Sequence, residues 1–186
     1  MRPYVSWVDD IFTEEECSCI ISECVPSLNK GVFERPENPL ALSKFLPWLK
    51  RNSNVAWISQ GSNLDSLMQR AVDILLAEVK ECFYIPCKTV EEVQFTEYKL
   101  FNYYCYHIDT TGREEEAGSK RLVSATIQLS DPSDYWGGGL KIDLGSKIFK
   151  APKRQGTITI FPSGLRHKVT PILKGTRYSL VLWVHF

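Results

Sequence analysis

Three side chains able to ligate a metal stand in the second half of this sequence at a spacing that suggests chemistry. His107 and Asp109 are separated by one residue in YYCYHID, and His167 follows in FPSGLRHKVTP. On an extended strand, residues i and i+2 point to the same face, so the His107 imidazole and the Asp109 carboxylate can meet one ion. Two neutral imidazoles and one carboxylate nearly neutralise a divalent cation and leave several coordination positions open. A structural zinc site would instead fill its four positions, usually with thiolates. Ten residues after His167, Arg177 opens the run TRYSLVLWVHF. Its guanidinium can hold a carboxylate through two parallel charge-assisted hydrogen bonds.

The same run shows which way Arg177 faces. Arg177, Ser179, Val181, Trp183 and His185 share one side of a strand; Tyr178, Leu180, Leu182, Val184 and Phe186 share the other. The second side is wholly apolar or aromatic and must be core, so Arg177 lies on the side that tolerates polar groups. The three ligands admit two other uses. A metal-holding module without catalysis has no need of Arg177. A zinc hydrolase needs an H-E-x-x-H or a general-base glutamate beside its ligands, and the sequence has neither.

The elements that position these residues fall into two groups. Thr13-Glu14-Glu15-Glu16 reads as a capping box with an acidic first turn. Cys17, Ile20, Ile21 and Cys24 then form an apolar stripe limited by Pro26. Residues 63–82 predict the clearest helix, with Asn63 as cap and Leu64, Leu67, Met68, Ala71, Ile74, Leu75 and Val79 on one side. Between them, residues 30–62 are irregular by pattern, broken by Pro36, Pro39 and Pro47, with Trp48 and Trp57 flanking Lys50-Arg51 and NVAWISQG as one strand. From residue 93 the pattern turns to β, with strands expected at 93–107, 121–130, 139–143, 147–150, 156–161, 167–171 and 176–185. Helices followed by many short strands predict an α+β chain whose β part is a sandwich or jelly roll. The polar segment 110–120 is expected to be a surface loop beside the site, with a lid as its functional reading.

Bulk composition agrees with an ordinary globular protein. The 186 residues are 44% hydrophobic and 24% charged, with 22 basic and 22 acidic side chains. No basic run points to nucleic acid, and no apolar stretch is long enough to span a membrane. The start MRPYVSWVDD lacks the apolar core of a signal peptide. The six cysteines form no C-x-x-C pair, which predicts free thiols in a reducing compartment. The expected location is cytoplasmic.

The motifs together resemble a known family. Tyr98-x8-His107-x-Asp109, Arg121-x2-Ser124, the run Leu129-Ser130-Asp131-Pro132-x2-Tyr135-x-Gly137-Gly138-x-Leu140, Phe161-Pro162-Ser163, His167-x-Val169-x-Pro171, and Gly175-Thr176-Arg177-Tyr178 with Trp183 are similar to the 2-oxoglutarate/Fe(II) dioxygenase superfamily. The likeness is to its prolyl 4-hydroxylase-like branch and the PKHD-type hydroxylases. It implies one domain over residues 1–186: a helical support region at 1–90 and a double-stranded β-helix (jelly roll) at 91–186, with the N-terminal helices packed on the major sheet. It implies His107, Asp109 and His167 as iron ligands and Arg177 as the grip on the distal carboxylate of 2-oxoglutarate. Tyr98 would add a hydroxyl hydrogen bond there, Trp183 would line the pocket, and Ser124 and Gln128 would point into the barrel. Fe(II), 2-oxoglutarate and O₂ are the implied cofactor and cosubstrates, with ascorbate as a further cofactor. The implied reaction is hydroxylation of an unactivated C–H bond, with a prolyl residue in a protein or peptide as substrate. A non-prolyl residue, a small molecule and a non-catalytic metal-binding jelly roll are the alternatives. Asp109 argues against a halogenase, which needs that carboxylate absent.

The sequence departs from the family pattern in three places. Leu100-Phe101-Asn102 stands where relatives often have glycine. Gly137-Gly138-Gly139 stands where they often have Gly-Gly-Glu. Tyr98 and His107 differ by nine positions, which on a straight strand puts them on opposite sides and so requires a turn or bulge near Asn102.

Overall fold

The structure, a computed structural model, describes residues 5–31, 50–83, 89–110 and 121–185. Trp48, Cys87, Phe186, the three prolines at 36, 39 and 47, and the loop 111–120 lie outside the described residues. In chain order the elements are β1 (Ser6–Val8), α1 (Glu14–Cys24), β2 (Asn29–Lys30), β3 (Arg51–Asn52), β4 (Asn54–Ile58), α2 (Asp65–Glu78), β5 (Thr89–Val90), β6 (Val93–Tyr98) and β7 (Tyr103–His107). There follow β8 (Val123–Gln128), β9 (Tyr135–Gly137), β10 (Leu140–Asp143), β11 (Ile148–Lys150), β12 (Ile158–Pro162), β13 (His167–Val169), β14 (Ile172–Gly175) and β15 (Arg177–His185).

The strands form two antiparallel sheets and a ribbon. The major sheet runs β1-β12-β8-β15-β6-β4-β2 with β5 also on β15, the minor sheet runs β11-β10-β13-β7-β3, and β14 pairs with β9. This is the α+β jelly roll expected from the sequence. The residues before 91 do more than support it, because β1, β2 and β4 extend the major sheet and β3 closes one edge of the minor sheet.

Helix α1 begins as its capping box predicts. Thr13 Oγ1 accepts from the Glu16 N–H, and the Glu16 carboxylate accepts from the Thr13 N–H at 2.9 Å. Helix α2 departs from expectation at its start. Asn63 is not its cap; Leu64 takes that position without a side-chain bond. The Asp65 carboxylate instead reaches back to the N–H groups of Gly61 and Ser62 at 2.8 and 3.1 Å. A first-turn carboxylate can satisfy the preceding turn as well as favour the helix dipole, so the sequence offered two anchors and the turn took the charged one.

Both helices bury their predicted stripes on the outer side of the major sheet. Cys17, Ile20 and Cys24 of α1 and Met68, Ala71 and Leu75 of α2 join Phe95, Ile127, Leu180 and Leu182 in one core. Each fully buried Leu or Ile there contributes on the order of 1.5–3 kcal/mol. The opposite, inner side of the major sheet is polar. Gln94, Thr96, Ser124, Thr126, Gln128, Arg177 and Ser179 are all buried there. Register aligns them in rows, Ser179 with Thr96 and Gln128, and Trp183 with Ser124. Buried polar groups need partners, and a polar wall inside a jelly roll is the lining of a polar site.

Candidate active site

The site begins with the pairing of β13 on β7, which sets His167 opposite His107. Their ring centroids are 4.1 Å apart. Asp109 follows β7 directly, and its N–H is tied to the Ser163 carbonyl at 2.9 Å. His107 Nε2 is 3.4 Å from Asp109 Oδ1, and His167 Nε2 is 3.5 Å from Oδ2. Ligand atoms of all three residues lie within 4.8 Å of one another.

The tautomers follow from the backbone. His107 Nδ1 contacts the Cys105 carbonyl at 2.8 Å and His167 Nδ1 the Leu165 carbonyl at 2.9 Å. A carbonyl only accepts, so each Nδ1 carries the proton and each neutral ring turns an Nε2 lone pair toward Asp109. Two lone pairs and a carboxylate converge on one point, which is an arrangement that calls for a cation. Burial lowers the proton affinity of His167 against the pull of Asp109. Burial also works to raise that of Asp109, but the attraction of the His167 and His107 rings whenever they take up a second proton, together with the Ser124 hydroxyl, outweighs it. They hold the carboxyl well below the usual carboxylate range.

The carboxylate is aimed by the major sheet. Ser124 Oγ donates to Asp109 Oδ2 at 2.7 Å and Trp183 Nε1 donates to the same oxygen at 2.9 Å. The single proton of Ser124 is thereby committed, so Ser163, 2.8 Å away, donates to Ser124. Trp183 in turn carries the Arg121 guanidinium 3.7 Å above its ring. Arg121 is held by Glu91 through two bonds of 2.6 and 2.7 Å, and Glu91 also bonds His185.

A turn and a bulge resolve the odd spacing between Tyr98 and His107. The chain leaves the major sheet at Tyr98, turns with Phe101 at φ 62°, and enters the minor sheet at Tyr103. The β7–β13 register then shifts, with Val169 opposite Tyr104 and His167 opposite His107, which leaves one extra residue in β7. Tyr104 and His107 therefore share a side, and their rings stack at 3.5 Å. Arg51 lies 4.9 Å over Tyr104 and donates to Ser53 and Gln94. Tyr106 points elsewhere, against Arg166 and Lys168.

Arg177 sits deeper, almost fully buried. Its Nε donates to Gln128 Oε1 at 3.0 Å and its guanidinium carbon lies 5.5 Å from the Tyr98 ring, the two residues being register partners. Among the described residues its Nη2 has no well-formed hydrogen bond, and neither has the buried hydroxyl of Tyr135. Burial raises the Tyr135 hydroxyl's pKa, with the Arg177 charge and the approach of its N–H groups to the hydroxyl opposing. Burial and the same charge lower that of Lys153, whose ammonium donates to the Gly137 carbonyl and lies over the Tyr135 ring. Gly138 makes the cluster possible: at φ +58° a Cβ there would come within 2.4 Å of Ile172 and 3.0 Å of Arg177. A buried guanidinium whose Nη2 lacks a well-formed hydrogen bond, beside a hydroxyl in the same state, fits a carboxylate, as the triad fits a divalent metal.

The structure thus brings together His107, Asp109 and His167 in one cluster, Arg177, Gln128 and Tyr98 in a second, and joins Ser124 and Trp183 to Asp109. Tyr135, Lys153 and Arg51 were not assigned such places from sequence. Tyr135 was visible only as one letter of a motif, and nothing in its spacing tied it to Arg177.

A jelly roll whose minor sheet holds two imidazoles and a carboxylate, with a buried arginine behind them, defines a non-haem metal centre of the oxygenase type. A family model described as the 2OG-Fe(II) oxygenase superfamily matches residues 93–185, half of the chain, and the chain belongs to that superfamily. The PKHD-type hydroxylase PiuC of Pseudomonas aeruginosa is 36% identical over 95 residues, which span 45% of this chain and only 41% of that protein. A PKHD-type hydroxylase of Crocosphaera subtropica is 26% identical over 178 residues, 96% of this chain and 77% of that protein. Among solved structures, a prolyl hydroxylase of Trichoplax adhaerens in complex with a hypoxia-inducible-factor peptide superposes with a TM-score of 0.70 at 18% identity. The match covers 97% of this chain and 82% of that one and shows a shared fold.

Proposed function

We propose that this chain is an Fe(II)- and 2-oxoglutarate-dependent dioxygenase that hydroxylates an unactivated C–H bond, with a prolyl residue of a protein or peptide as substrate and the cytoplasm as its place of work. The observation that carries the cosubstrate is the pairing of two buried donors, Arg177 Nη2 and Tyr135 Oη, that have no well-formed hydrogen bond among the described residues of a chain that also carries the metal-ligand cluster. Similarity to PKHD-type hydroxylases and the prolyl-hydroxylase fold support the prolyl substrate.

His107, Asp109 and His167 would hold the iron. When bound, iron and 2-oxoglutarate supply the oxidising power, O₂ placing one oxygen in the product and one in succinate as carbon dioxide leaves. The protein's part is positioning. Ser124 and Trp183 both donate to Oδ2 and so fix the plane of the Asp109 carboxylate among the ligands. Gln128 fixes the plane of Arg177, and Tyr98 and Tyr135 wall the pocket around it. Burial of the Arg177 guanidinium among these groups excludes water and strengthens its hold on a carboxylate.

Mixing the protein anaerobically with Fe(II) and 2-oxoglutarate should give a metal-to-ligand charge-transfer band. A screen of proline peptides by mass spectrometry should then show mass gains of one oxygen. The Arg177→Ala variant should lose the band at low 2-oxoglutarate while keeping near-normal metal affinity; equal loss of both would remove the assigned role. Turnover of free small molecules alone would defeat the prolyl reading.

A further inference from the structure

We propose that the outer side of the minor sheet is a docking surface for an acidic polypeptide segment. The register of that sheet places like charges side by side. Lys141 of β10 is paired with Lys150 of β11 on one flank and with Lys168 of β13 on the other. Lys141 alternates with buried Leu140 and Ile142, and Lys168 with buried His167 and Val169, so the lysines point away from the barrel. Register partners share a side, and the three ammonium groups therefore form a row across three adjacent strands. Arg166 is exposed beside Lys168, and both cations lie against the Tyr106 ring, at 5.1 and 4.5 Å.

Among the described residues none of these four cations has an ion pair. The one carboxylate on the same side of β10, Asp143, accepts from the Gly145 N–H. Directly opposed like charges destabilise a sheet, so the row is held against local cost. Protection of a sheet edge does not account for it: β11 is the edge strand, and Lys150 alone would suffice there, whereas Lys141 and Lys168 lie on inner strands. The chain's formal charge is zero, so the row reflects local concentration of charge and not a basic protein.

The chemistry favours a polypeptide over a nucleic acid. Single-stranded nucleic acids need open aromatic faces for stacking, and the one aromatic ring in the row, Tyr106, is already covered by cations. Strands about 4.8 Å apart carry a short ladder of positive charge that the flexible carboxylate side chains of an acidic segment can meet at several points. The row backs the strands that carry the site: Arg166 and Lys168 flank His167 in sequence, and Tyr106 precedes His107, on the opposite side of the sheet. A substrate with acidic residues away from the modified position would be held on this side while that position enters the barrel. Docking itself does not depend on the reaction assigned above.

The test is binding of a fluorescein-labelled oligoglutamate to the full chain by anisotropy, which requires neither iron nor turnover. Replacing all three lysines (K141Q, K150Q and K168Q) should weaken binding by roughly ten-fold or more, and raising the salt should do the same to the wild type. Changing Lys30, Lys80 and Lys174 to Gln removes equal charge elsewhere and should leave binding unchanged. Arginine at the three row positions should restore it. Because the glutamine variant relieves repulsion, its melting temperature should equal or exceed that of the wild type. Equal binding by the row variant, equal loss in the control triple, failure of the arginine variant in a folded state, or tighter binding of an oligothymidylate of the same charge would each overturn the proposal.

Discussion

At the scale of the residue, the site divides into groups that already have partners and groups that lack them. Asp109, Ser124 and Trp183 are bonded to one another, whereas among the described residues Tyr135 Oη and Arg177 Nη2 have no well-formed hydrogen bond. A buried unsatisfied hydroxyl costs about 1–3 kcal/mol, and one that bonds a charged ligand returns a similar amount. Tyr135→Phe should therefore act with opposite signs in two measurements. Without cosubstrate the variant should melt at an equal or higher temperature than the wild type. With 2-oxoglutarate, titration calorimetry on the Mn(II)-loaded protein should show affinity reduced by about ten-fold. A variant that melts lower and binds normally would make Tyr135 a packing residue. His107, Asp109, His167 and Arg177 were legible in the sequence because their chemistry is rare and their spacing matches strand periodicity. Tyr135 was not, because only the β9–β14 ribbon and the Gly138 backbone bring it to Arg177.

At the scale of the element, the sequence announced most strands and both helices. A run over 93–107 was expected with a turn or bulge near Asn102; it divides there, at a turn that hands the chain from the major to the minor sheet. The short pairs β9 and β14 escaped notice because three or four residues among glycines carry too little alternation. Phe101 is left-handed in that turn and 66% exposed. A bulky residue there is strained by about 1–2 kcal/mol and little packing offsets it. Phe101→Gly should stabilise the fold by about 0.5–1 kcal/mol in denaturant melts once glycine's added chain entropy is deducted. A loss of stability would mean that the phenyl ring makes contacts that outweigh its strain. Helix α1 gives a pH prediction. Burial pushes the thiols of Cys17 and Cys24 up, to about 11 and about 12. The folded state thus retains protons that the unfolded chain releases near pH 8.5. Stability from these groups is intact below that pH and declines as pH rises toward 11–12. At pH 8 a thiol reagent should modify exposed Cys19 and Cys105 while sparing Cys17 and Cys24. Rapid native labelling of the latter pair would contradict their place in the core.

At the scale of the whole molecule, the metal-ligand cluster links the two sheets through polar contacts. Apolar packing between them is gathered around Val5, Leu140, Ile142 and Phe161 on one side and Tyr98, Tyr135, Val169 and Ile172 on another. Between these clusters the inner wall is polar, and the link is Asp109: carried by the minor sheet, it is bonded by Ser124 of β8 and Trp183 of β15 in the major sheet. An ion seated on His107, Asp109 and His167 would thereby brace both sheets, although all three of its ligands are carried by one. Binding to the folded state alone stabilises by about 2.7 kcal/mol at a hundred-fold excess over the dissociation constant. Mn(II), which is stable to air, should raise the melting temperature. Hydrogen exchange should slow in β8 and β15 as well as in β7 and β13. Ser124→Ala should cut metal affinity by ten-fold or more, as expected when an outer partner of a ligand is removed, and confine the slowed exchange more closely to the minor sheet. If Mn(II) protects β7 and β13 alone in the wild type, Asp109 does not couple the sheets and the stability of the barrel is independent of its metal.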